Sequence, residues 1–89
     1  MPKAEISWRR LDGDGNKLQV YARRIGGRWV FHWRHRRYEP WRAQPQPPLE
    51  DWLELLDAVR RMVPRRRFPP DEVDRVEQAI REHYPQTAP

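Results

Sequence analysis

Two turn signals divide the first 38 residues into three segments, and the alternation inside those segments leaves few ways to pair them. Asp12-Gly13-Asp14-Gly15-Asn16 is dense in residues that tolerate positive φ or bond their own backbone. Gly26-Gly27 is a two-residue hairpin signal. Apolar residues alternate with polar ones between and beside these turns, which is the period of a half-buried strand. With Gly26-Gly27 as the loop, Ile25 opposes Arg28, Ala22 opposes Phe31 and Val20 opposes Trp33. With Leu11 opposite Lys17 in the first hairpin, Trp8 opposes Val20 and Ile6 opposes Ala22. Directly opposed residues share a face. Both registers therefore place Ile6, Trp8, Leu18, Val20, Ala22, Trp29, Phe31 and Trp33 on one side. A slip of one residue in either hairpin destroys that agreement.

The strands are expected over about 5–11, 17–25 and 28–38, the last ended by Pro40, which cannot donate to a ladder. A proline-rich connector fills 39–48. Two helices follow, over about 48–63 and 70–84, each opened by proline with acidic residues behind it. The first carries a stripe of Leu49, Trp52, Leu53, Leu56, Val59 and Val63, and the second one of Val73, Val76, Ile80 and Tyr84. Asp71 with Arg75, and Glu77 with Arg81, are expected as i, i+4 pairs. The predicted class is α+β: a three-stranded antiparallel β-meander followed by two α-helices packed on one face of the sheet, in a single small domain of residues 1–89.

Charge is distributed unevenly. Residues 1–48 hold 11 Lys and Arg against 4 Asp and Glu, a net of +7, whereas residues 49–89 hold 7 against 9, a net of −2. The expected open face of the sheet contains Ser7, Arg9, Leu11, Gln19, Tyr21, Arg23, Ile25, Arg28, Val30, His32, Arg34 and Arg36. Arginine neutralises phosphate and stacks on bases, and Tyr21 and His32, which oppose each other, offer flat rings. Arg65, Arg66 and Arg67, beside Arg60 and Arg61, form a second basic cluster. It serves either as a further phosphate contact or as cations at a helix C-terminus. Trp52, on the stripe of the first helix, is assigned to the core. Trp41 is assigned there too, as a plug at one end, with a hot spot for a protein partner as the alternative if it is exposed.

Other chemistries find little footing. There is no cysteine, so disulfides, thiolate catalysis and cysteine-based zinc sites are excluded. Asp12, Asp14 and Asn16 resemble the start of a calcium loop, but Lys17 stands where that loop needs glycine and Arg23 where it needs glutamate. His32 and His35 are three apart, which puts them on opposite faces of a strand. Ser7 is the only serine and has no evident histidine–aspartate partners. No glycine-rich loop precedes a helix. No run approaches the ~18 apolar residues of a membrane span. The expectation is a cytoplasmic, non-catalytic protein without metal or cofactor that binds DNA or RNA through the basic sheet face. The rival expectation is an acidic protein partner, with a homodimer formed along the third strand if that strand is an edge.

Overall fold

Each segment that alternates in the sequence is a strand in the computed structural model, which describes residues 5–87. Strands β1 (Glu5–Leu11), β2 (Lys17–Ile25) and β3 (Arg28–Arg34) form an antiparallel meander, and a short β4 (Arg42–Gln44) adds to β3. Helices α1 (Leu49–Met62) and α2 (Asp71–His83) follow, giving an α+β class. The chain divides into two units, a sheet unit through Pro47 and a helical unit from Pro48.

Both hairpin registers agree with the alternation argument. Leu11 pairs with Lys17, Trp8 with Val20 and Ile6 with Ala22. Ile25 pairs with Arg28, Ala22 with Phe31 and Val20 with Trp33. Gly26 and Gly27 have φ of 57° and 80°, the doubly positive geometry of a two-residue hairpin turn. Ile6, Leu18, Val20, Ala22 and Phe31 are buried, while Trp8, Trp29 and Trp33 on the same face are half-buried. Trp8 and Phe31 meet edge-to-face at 6.2 Å across β2.

The third strand is shorter than its expected extent of 28–38. Beyond Arg34 the Glu39 carboxylate accepts the backbone N–H groups of His35 (3.1 Å) and Arg36 (2.9 Å). These amides are turned from a ladder into a turn, and the Glu39 N–H closes it on the Arg36 carbonyl. The chain then doubles back, so part of the expected connector is β4, with Trp33 opposite Arg42, His32 opposite Ala43 and Phe31 opposite Gln44. β3 is consequently not the edge strand expected for a homodimer, because β4 occupies its outer side at residues 31–33.

In the helical unit, α1 buries Trp52, Leu55, Leu56, Ala58 and Val59. Leu53, expected on the stripe, is 49% exposed. Leu55 lies three residues past Trp52 and so returns close to its face, whereas Leu53 is turned about 100° away. Asp51 and Glu72, in the first turns of α1 and α2, are also buried, where the helix dipole favours negative charge. Asp71 pairs with Arg75 at 3.2 Å as expected. Glu77 does not take Arg81. It takes Arg60 of α1 at 2.9 Å, and Arg81 donates to Gln78.

A candidate aromatic and arginine face

The face of the sheet opposite the buried one is organised in rows set by the register. Ser7, Tyr21, His32 and Ala43 form a central row across all four strands. Arg9, Gln19 and Arg34 form the row on one side, and Glu5, Arg23 and Val30 the row on the other, with Arg28 and Ile25 beyond. The aromatic groups are thus bracketed by cations.

In the central row the Tyr21 and His32 rings stack at 4.9 Å with planes 18° apart. Trp41 joins them, its ring edge-on to Tyr21 at 4.7 Å. This corrects the assignment of Trp41 to the core: it is half-buried on the polar face. Proline at position 40 and the return of the chain into β4 bring it there, and nothing in the local sequence announces that return. Arg34 lies over the Trp41 ring, its guanidinium carbon 4.1 Å from the centroid. Its Nε–H donates to Gln19 Oε1 at 2.8 Å and one Nη–H to the Glu39 carbonyl at 3.4 Å. Stacking and hydrogen bonds together hold this cation in one orientation, which reduces the ordering entropy left for a ligand to meet. Beside it is a cleft of about 310 Å³ lined by Ser7, Arg9, Gln19, Arg34, Arg37 and Trp41 among others. Its volume is at the lower end of ligand-sized clefts, about 300–1,000 Å³.

Of the expected site residues, Arg9, Tyr21, Arg23, Arg28, His32 and Arg34 share this face. Arg9, Arg23 and Arg28 are exposed, and Tyr21, His32 and Arg34 are half-buried. Arg36 does not belong to the row expected for it. It lies past the end of β3, in the turn, with a guanidinium N–H donated to the Tyr38 hydroxyl at 3.0 Å. Arg65, Arg66 and Arg67 are exposed residues of the helical unit. There they terminate α1. The Arg67 N–H bonds the Met62 carbonyl and the Arg66 N–H the Val63 carbonyl, with Arg66 at φ 58°. That is the bonding pattern of a Schellman cap, with arginine in the left-handed position where glycine is usual.

The calcium-like run is a hairpin turn. Asp12 Oδ1 accepts the N–H groups of Asp14 and Asn16, each at 2.9 Å. Asp12 Oδ2 meets His35 Nε2 at 2.9 Å, tying the first turn to the one after β3. The His35 hydrogen bond, helped by the two amides, holds the Asp12 carboxyl below its ordinary range. The Arg36 and His35 amides do the same for Glu39. His32 stacks on Tyr21 while His35 bonds Asp12, so the two histidines serve different ends. Among the described residues no group of three acidic or histidine side chains is placed to hold a metal ion, and no helix is long and apolar enough to cross a membrane. Comparison with protein families, with curated proteins and with solved structures finds no match.

Proposed function

We propose that this chain is a non-catalytic nucleic-acid-binding module whose contact surface is the four-stranded sheet face. The reading rests on one observation: the contiguous Tyr21–His32–Trp41 cluster flanked by Arg34 and by the exposed Arg9, Arg23 and Arg28. Aromatic rings accept bases of any sequence by stacking, and flanking cations neutralise the phosphates on either side. Half-buried rings on a pleated surface suit unstacked bases better than a duplex, whose bases already stack on one another. Single-stranded RNA or DNA is therefore the preferred ligand.

A retardation assay with single- and double-stranded DNA and RNA, at two salt concentrations, tests the reading. Single strands are retarded at low salt and released as salt rises. Absence of retardation of any nucleic acid at low salt, where the electrostatic contribution is greatest, rejects it. A second reading, docking of an acidic protein segment, is favoured by Ile25 and Val30, which are 51% and 36% exposed beside Arg23 and Arg28. Binding of that kind would depend on salt but not on the type of nucleic acid competing.

A further inference from the structure

We infer that β1 is a self-complementary edge through which two copies of this chain pair antiparallel about a two-fold axis at Ser7. The argument begins with the hydrogen-bond phase of the first hairpin. The Asp12 N–H donates to the Asn16 carbonyl at 2.8 Å, so the pair 12 and 16 is hydrogen-bonded. Hydrogen-bonded pairs recur at every second position of an antiparallel ladder. Ile6, Trp8 and Arg10 thus turn their backbone groups to β2, while Glu5, Ser7 and Arg9 turn theirs outward. Among the described residues no strand lies on that outer side, since β1 ends the strand order. The side chains of Glu5, Ser7 and Arg9 are all exposed.

A second β1 must present the same outward residues, and a two-fold axis normal to the sheet keeps each face with its like. Registers that pair at least five residues of the described strand under both conditions have their axis at Ser7, Trp8 or Arg9. With the axis at Arg9, Ser7 opposes Leu11, Trp8 opposes Arg10 and Arg9 opposes its own copy, a like-charge contact. With the axis at Trp8, Glu5 opposes Leu11, Ile6 opposes Arg10 and Ser7 opposes Arg9, so apolar groups meet polar ones. With the axis at Ser7, Glu5 opposes the partner's Arg9, Ile6 opposes the partner's Trp8 and Ser7 opposes its own copy. That register gives a charge pair at each end of one face and an apolar pair at each end of the other. Opposite charges and apolar pairs directly across a ladder are favourable, and charge-to-apolar pairs are not. Charged side chains on an edge ordinarily discourage pairing. Here Glu5 and Arg9 are spaced so that they select one partner, a second copy, and one register. The product is a continuous eight-stranded sheet in which the two arginine-bearing faces lie side by side. This inference shares Arg9 with the nucleic-acid reading but is carried by the strand edge, and its readouts, mass and disulfide formation without nucleic acid present, can fail or succeed separately from that reading.

The absence of cysteine allows a direct test. Across the two-fold axis the Cα atoms of residue 7 should lie about 5.5 Å apart, within disulfide range. Ser7→Cys is expected to oxidise to a covalent dimer, and Asp14→Cys in the exposed turn is not. The unmodified chain should pass from 10.9 kDa toward twice that mass as concentration rises in sedimentation or light scattering. Ser7→Pro removes an outward N–H and should hold the chain at the monomer mass with its circular dichroism unchanged. Glu5→Arg and Arg9→Glu should each abolish the dimer, and the two together should restore it, which keeps the test decisive if the proline variant folds poorly. A monomer at every concentration, a dimer that survives Ser7→Pro, or a double charge reversal that does not restore pairing would each overturn the inference.

Discussion

The two halves of this chain use arginine in opposite ways. In the sheet unit, with its net +7, Arg9 and Arg34 of the open face stand across from Gln19 and Arg28 from Ile25. Of these arginines Arg23 alone stands across from a carboxylate residue, Glu5, and Arg34 is braced on Trp41 and Gln19. In the helical unit, with its net −2, arginines answer carboxylates: Arg60 with Glu77, Arg61 with Asp57 and Arg75 with Asp71. Exposed pairs of the second kind contribute roughly 0–1 kcal/mol each and bind nothing further. Under the proposed function, the charge of the exposed Arg9, Arg23 and Arg28 is what meets phosphate. Composition alone cannot make that distinction, since a basic total would look the same with the arginines in either place.

The comparison can be broken most severely within the sheet itself, between its faces. Phe31 is buried to 1% exposure on one face. Phe31→Ala should cost about 3–5 kcal/mol, enough to unfold a small domain of marginal stability. A thermal melt unchanged by that substitution would show that the alternation does not mark the core. Trp41→Ala, on the other face, should leave the melt much less altered but weaken single-strand binding by about 1–3 kcal/mol in a fluorescence or retardation titration. Equal losses on single strands and on duplex would remove base stacking from the account.

The contrast between surplus and answered charge is sharpened by salt. Under the proposed function, phosphate contacts by Arg9, Arg23, Arg28 and Arg34 should give a log-affinity against log-salt slope of about −3 on single strands, and a slope near zero would remove them from the site. Arg23→Gln should flatten the slope by about 0.7, whereas Arg61→Gln, already paired with Asp57, should leave it unchanged. The next effect is smaller and lies in the helical unit. Arg66 holds φ 58° in the cap of α1, so Arg66→Gly should raise stability by up to about 1 kcal/mol in a urea titration. A drop would show that the arginine side chain does more there than close the helix.

The smallest expected effect is the response to acid. Asp12 and Glu39 both have folded pKa values depressed by bonds made only in the native turns. Their contribution is complete above the ordinary carboxylate value and is lost as pH falls through and below it. Asp12→Asn with Glu39→Gln should flatten the dependence of the urea midpoint on pH between about pH 5 and pH 2. An unchanged acid limb would assign acid sensitivity to other carboxylates.

How much of this was legible beforehand follows the range of the interactions involved. Strand identity, both registers and the face assignment of Phe31, Tyr21 and His32 follow from alternation and turn chemistry. Each hairpin pairs near neighbours, and a period of two admits only one phase that buries the apolar set. The helices were legible to within a residue at each end, because proline and acidic residues mark their starts. Their facing was not. In α1 apolar residues at 52, 53, 55 and 56 leave the stripe ambiguous, and tertiary packing selected Leu55 over Leu53.

The candidate site divides in the same manner. Its arginines and its Tyr21–His32 pair are consequences of register, but Trp41 is not. Its place depends on Glu39 capturing the amides of His35 and Arg36 and on β4 returning along β3. Arg42-Ala43-Gln44, set between prolines at 40 and 45, carries no strand signal of its own. It becomes a strand because β3 offers it an unpaired ladder. The sequence by itself therefore determined which residues face which way wherever the contacts are local and periodic. Only the tertiary structure decided where the chain turns back and which ring completes the aromatic face, because those outcomes depend on partners that exist only once the sheet has formed.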